Sequence, residues 1–161
     1  MAASYEGLTI DQVKEGDELP PLTVDVSATT VILGAMATRD WRPMHHDRDF
    51  AINRSGTRDI FMNTPNQAAW LERYLSDWAG PTCRLGRFSF RMHDSVFPGD
   101  TMTIQGVVEK VETDVLGCSW ARLALTLKVK DKTMTSFSAR VALPSKPRDN
   151  PWVRRGEDWR P

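Results

Sequence analysis

Cysteine is scarce in this chain, charge of one sign is not in excess, and no hydrophobic run approaches the length of a membrane span. The two cysteines, Cys83 and Cys118, have neither metal-ligand nor redox spacing. That excludes a disulfide scaffold and leaves two free buried thiols, as in a cytosolic protein. Lys+Arg and Asp+Glu stand at 21 each, so nothing electrostatic calls for nucleic acid or an anionic membrane as partner. A local basic patch for a phosphate-bearing ligand remains compatible with this balance. The start, Met1 to Glu15, is polar and acidic and does not read as a secretory signal. A cytoplasmic protein is expected. At 161 residues the chain is long enough for one domain with a proper core.

What is present falls into two halves. After Pro20-Pro21, Leu22, Val24 and Val26 alternate with polar residues as in a short strand. Ser27 then caps a helix over Ala28 to Arg39, with Val31, Ile32, Ala35 and Met36 as its apolar stripe. Asp47 caps a shorter helix, Arg48 to Arg54, closed by Gly56. The best-delimited helix has Thr64 as N-cap and Pro65 at its first position, where a missing N–H costs nothing. Its apolar face is Ala68, Leu71, Tyr74, Leu75 and Trp78, and Gly80-Pro81 ends it.

Four long strands follow. They are Leu85–His93, Thr101–Thr113 (Gly106 a bulge), Ser119–Lys130 and Met134–Leu143, with a tight turn at Asp131-Lys132 between the last two. A strong helix followed by an antiparallel meander predicts α+β, with the sheet wrapped around the helix. Residues 1–143 make this domain, and 144–161, rich in Pro, Arg and Asp, read as an irregular C-terminal extension that nonetheless carries Trp152 and Trp159.

The chemistry concentrates in Asp40-Trp41-Arg42-Pro43-Met44-His45. Proline fixes its own φ and keeps the residue before it extended, so this run is a bent loop that can aim Asp40 and His45 into one pocket. A carboxylate and a neutral imidazole around one water can move a proton and a hydroxyl together. In isolation, a turn aspartate and a hydrogen-bonded loop histidine are the blander reading. His46 is expected at the surface, and Asp47 as a cap. Asn63 reads equally as turn former or pocket group. His93 and Asp100 read as structural, and Trp70 and Trp78 as core or interface. Arg84, Arg87 and Arg91 on one strand, and Arg148, Arg154, Arg155 and Arg160 in the tail, are arginines for carrier phosphates, a partner, or a solvated face.

The segments around the loop change the odds. Asp40-x-x-Pro43-x-His45, the Phe50-Ala51 helix ending at Gly56, the helix end Asp77-Trp78-Ala79-Gly80-Pro81, and Val96-Phe97-Pro98-Gly99-Asp100-Thr101 occur in the order found in MaoC-like hydratases. The chain resembles these hot-dog-fold (R)-specific enoyl-CoA hydratases over roughly residues 15 to 143. Ile60-Phe61-Met62-Asn63-Thr64-Pro65 and the Asp77-Trp78-Ala79-Gly80-Pro81 ending further resemble the small hot-dog subunits of actinobacterial enoyl-CoA hydratases that act on steroid side chains. The resemblance implies that Asp40 and His45 are the catalytic pair, adding water to a trans-2-enoyl-CoA to give a 3-hydroxyacyl-CoA. It implies an oxyanion donor among the backbone N–H groups at the start of the central helix. There the family usually has His-Gly-Met and this chain has Met62-Asn63-Thr64. Asn63, Thr64 and Asn66 are the candidate donors, since Pro65 has no N–H. It implies no metal and no cofactor beyond the CoA of the substrate, and either a homodimer or a heteromer with a second hot-dog chain. A hot-dog thioesterase and a non-catalytic subunit completing a partner's tunnel are the alternatives.

Overall fold

The computed structural model describes residues 7–161. The acidic start Met1–Glu15 therefore lies partly outside the described residues. Five strands, β1 (Glu18–Asp25), β2 (Arg84–Met92), β3 (Thr101–Thr113), β4 (Ser119–Val129) and β5 (Lys132–Leu143), form one antiparallel sheet in the order β1-β3-β4-β5-β2. Among the described residues, three α-helices precede β2: α1 (Ala28–Ala37), α2 (Arg48–Asn53) and α3 (Thr64–Ala79).

The α+β expectation holds because the two periodicities meet. Ala121, Leu123, Leu125 and Leu127 of β4 and Phe137, Ala139 and Val141 of β5 put every second side chain on one face of the sheet. Leu71, Tyr74, Leu75 and Ala79 of α3 pack against that face. Each fully buried aliphatic side chain there contributes roughly 1.5–3 kcal/mol. Asn66 fastens α1 to α3 by donating its Nδ2 to the Thr30 carbonyl at 3.1 Å. Gly34 allows the approach: a Cβ there would lie 2.0 Å from Asn66 Nδ2.

Local details depart from expectation in four places. Pro20-Pro21 does not break the chain; it sits inside β1, where the register shifts between Leu19 and Leu22. β1 is an edge strand, so the missing N–H groups interrupt no second ladder. Gly106 is not the bulge. It pairs in register with Leu125, whose Cδ2 leaves no room for a Cβ, and the shift comes between Val108 and Lys110. The two-residue turn between β4 and β5 is Lys130-Asp131, one residue earlier, with Lys130 at φ 53°. The N-cap of α3 is Asn63 rather than Thr64.

The C-terminal extension has only two 3₁₀ turns, Pro151–Val153 and Gly156–Asp158, yet it is packed. It returns across the outer face of the sheet at the β2 start. Trp159 lies against Trp120 with ring centroids 5.0 Å apart, and the Arg84 guanidinium sits 3.6 Å over Trp159. Arg154 donates to the carbonyls of Leu116 and Gly117 at the β3–β4 turn.

Candidate active site

The end of α1 sets the direction of the loop that follows. Thr38 closes the helix, its hydroxyl donating to the Gly34 carbonyl at 2.8 Å. Arg39 then takes the left-handed region, φ 54°, and the Asp40 N–H returns to the Ala35 carbonyl at 2.9 Å. A non-glycine residue in that region is uncommon and costs energy. Arg42 is extended ahead of Pro43, as the proline requires, and Pro43–His45 makes a 3₁₀ turn that buries His45.

The result brings Asp40 and His45 face to face. His45 Nε2 lies 3.5 Å from Asp40 Oδ2, with the side chains 5% and 9% exposed. His45 Nδ1 donates to the Phe61 carbonyl at 2.8 Å, and the imidazole meets the Phe61 ring edge-on at 4.8 Å. A carbonyl can only accept, so the ring proton of a neutral His45 is on Nδ1 and Nε2 presents its lone pair. Nε2 and Oδ2 are then two acceptors facing one another. The two O–H groups of one water can bridge such a pair, leaving its lone pairs for a third partner.

Asp40 is also held by Arg42 within the loop and by Asn63 from outside it. Arg42 Nε donates to Oδ1 at 3.0 Å, and the Arg42 N–H points at the same oxygen. Asn63 Nδ2 donates to Oδ2 at 3.1 Å. Burial pushes the Asp40 carboxyl up, but the hydrogen bonds from Asn63 and Arg42 outweigh it. The carboxyl sits below its ordinary range and is ionised at neutral pH.

At the start of α3, Asn63 Oδ1 accepts from the Asn66 N–H at 3.2 Å, and the Gln67 N–H reaches the Asn63 carbonyl. Asn66 is therefore removed from the candidate donors. The Met62 N–H goes to the Val96 carbonyl. Among the described residues, the N–H groups of Asn63 and Thr64 have no acceptor. The Thr64 side chain turns away, its hydroxyl on Met92 Sδ. Thr38, Arg39, Asp40, Trp41, Arg42, Pro43 and Pro65 line an open cleft over the carboxylate.

The other sequence candidates lie elsewhere. His46 is exposed, and Asp47 caps α2 by accepting from the Phe50 N–H. His93 contacts Ser136, and Asp100 accepts from the Phe97 N–H in its turn. Arg84 and Arg87 serve the C-terminal extension, donating to the carbonyls of Pro151, Arg154 and Pro161. Sequence reasoning missed Thr38 and Arg42 as neighbours of the pair. The Arg42 contact had a signal, since an aspartate commonly bonds the backbone two residues on. Thr38 had none.

With this geometry, similarity to known proteins acquires meaning. No protein-family model matches the chain. The 3-oxo-4,17-pregnadiene-20-carboxyl-CoA hydratase beta subunit of Mycobacterium tuberculosis is 35% identical over 101 residues, 63% of this chain and 78% of that protein. The chain belongs to the MaoC-like hydratase family. A chain of the ChsH1–ChsH2 complex from Mycobacterium tuberculosis superposes with a TM-score of 0.75 at 27% identity, covering 81% of this hydratase-family chain and 98% of the other. The (R)-hydratase from A. caviae has a TM-score of 0.73 at 21% identity, over 82% and 98% of the two chains, a likeness of fold. The hot-dog expectation for this MaoC-like chain is met.

Proposed function

We propose that this chain is an enoyl-CoA hydratase, adding water to a trans-2-enoyl-CoA thioester to give the 3-hydroxyacyl-CoA. The observation that carries the reading is the acceptor pair, Asp40 Oδ2 and His45 Nε2 at 3.5 Å, beside the α3 start with its free N–H groups. A water between the two acceptors attacks Cβ with its oxygen. His45 Nε2 takes the proton released and delivers it to Cα, so that hydroxyl and proton are added from one side. The thioester oxygen carries the developing charge. The Asn63 and Thr64 N–H groups, at the positive end of the α3 dipole, are the donors for it. Positioned acid–base groups of this kind contribute about 10²–10⁴-fold.

The finer points rest on the relatives. The beta subunit named above supports a steroid side-chain thioester as substrate, and the two-chain complex supports assembly with a second hot-dog chain. β1 and β2 are the edges of the sheet in the chain alone, and pairing at an edge removes unpaired backbone groups. The reaction needs no cofactor apart from the CoA carried by the substrate. No helix among the described residues is long and apolar enough to cross a membrane.

The test is incubation of the purified chain, alone and co-expressed with a second hot-dog chain, with 2-enoyl-CoAs of short, long and steroid acyl groups. Product is followed by loss of enoyl absorbance and by mass. A gain of one water with CoA retained is expected. Release of free CoA with no 3-hydroxyacyl product overturns the hydratase reading in favour of a thioesterase.

A further inference from the structure

The side chain of Asn63 does more than begin a helix. It is 2% exposed and makes three hydrogen bonds to three different segments. Oδ1 accepts from the Asn66 N–H at 3.2 Å, while Nδ2 donates to Thr38 Oγ1 at 2.8 Å and to Asp40 Oδ2 at 3.1 Å. Its orientation is fixed from all three sides. The Thr38 hydroxyl spends its proton on the Gly34 carbonyl, so it accepts from Asn63. The Asn66 N–H needs an acceptor, and so does a hydrogen of Nδ2, which the carboxylate supplies.

We propose that Asn63 is a positioning residue whose carboxamide orients the Asp40 carboxylate as an acceptor, leaving His45 as the group that carries the proton. This rests on the hydratase reading above and divides the labour within its acid–base pair. Both carboxylate oxygens are engaged by donors, Oδ1 by Arg42 and Oδ2 by Asn63. A proton on either oxygen would use one of its lone pairs and weaken the hydrogen bond that oxygen accepts. His45 has the opposite situation: Nδ1 is tied to the Phe61 carbonyl, and Nε2 presents an open lone pair. The charged and titratable groups facing Asp40 are Arg42 from its own loop and His45 from the turn, with Arg39 on the same cleft wall. α3 contributes the neutral Asn63, and the end of α1 the neutral Thr38.

The clamp can be separated from the cap. Asn63→Asp keeps the size and the cap oxygen, since aspartate caps helices as well as asparagine. It replaces the donor on Asp40 by a second carboxylate, and two like charges at that distance share a proton. The pH profile of kcat/KM, measured on the enzyme with its partner chain if one is required, reads the difference. The acid limb of Asn63→Asp is expected to move up by about one pH unit or more, and at pH 7 the rate is expected to fall by about tenfold through lost positioning of Asp40, with circular dichroism still that of the folded chain. Thr38→Val removes the acceptor that fixes the carboxamide and leaves the cap, so a smaller upward movement is expected. It serves as the test if Asn63→Asp does not fold. An Asn63→Asp enzyme with the wild-type profile and rate overturns the proposal, as does an unmoved limb in Thr38→Val. Absence of hydration by the wild-type enzyme overturns the functional reading instead.

Discussion

Removing the Trp159 indole tests whether the C-terminal extension is part of the folded domain. Trp159 is half-buried, lies 5.0 Å from the Trp120 ring and carries the Arg84 guanidinium 3.6 Å over its face. A tryptophan buries 150–250 Å² when enclosed, so about half of that at roughly 25 cal/mol/Å² gives on the order of 2–3 kcal/mol. The ring pair adds about 0.5–1.5 kcal/mol and the cation–π contact about 0.5–1 kcal/mol. Residual compactness of the unfolded chain lowers the area term by roughly 10–40%. Trp159→Ala should therefore cost about 3 kcal/mol, and at about 2–4 °C per kcal/mol for this length the melting temperature should fall by roughly 6–12 °C. Urea unfolding followed by far-UV circular dichroism measures the loss without relying on the deleted fluorophore. Hydration below the melting range should be unchanged. The extension sits at the Arg84 end of β2, whereas the α3 start sits at the Met92 end, roughly 25 Å away along the strand. A cost under about 1 kcal/mol would refute the claim that aromatic and arginine contacts anchor the extension. A fall in kcat/KM at unchanged stability would refute its remoteness from the site.

Asp40→Asn and His45→Ala should each lower hydration by about 10²–10⁴-fold while circular dichroism stays that of the wild type; near-full activity in both would mean that neither acts on the water. Gly34→Ala drives a Cβ into Asn66, 2.0 Å away, so the bond to Thr30 should be lost and stability should drop by about 1–3 kcal/mol in urea titration. For Asp114, burial alone would raise the carboxyl, but hydrogen bonds from Trp120 Nε1 and the Cys118 and Leu116 N–H groups lower it overall. A lowered folded value means stability that is present above the unfolded value, about 3.9, and lost as pH falls through the folded one. Asp114→Asn should therefore flatten part of the wild-type stability loss below about pH 4, read from melting temperatures across pH; an unaltered acid slope would remove Asp114 from the acid response.

The sequence made the two sides of the loop visible for a simple reason. Pro43 constrains a short local stretch, and a local constraint can be read without knowing what the chain meets later. The helix–meander order was equally legible, since α3 and β4 carry clean periods of 3.6 and two. The start of α3 was not. Asn63 and Thr64 are both good caps, and each has a candidate partner three residues on. What decides between them is Asn63's contact with Thr38 and Asp40, some two dozen residues upstream. The same limit hid the extension. Its composition is polar, and its two indoles gain partners only because β2 and β4 bring Arg84 and Trp120 beneath them.

The left-handed Arg39 has a consequence for anyone moving this chemistry to another scaffold. The six residues from Asp40 to His45 are not a self-contained module. Their aim is inherited from a helix that ends in one strained dihedral, and part of their charge state from a cap on a different helix. A graft of the loop alone would carry the reactive groups and the Arg42 contact, but neither their bearing nor the Asn63 hydrogen bond. The smallest portable unit is the junction of two helix termini, with the loop as the bridge between them.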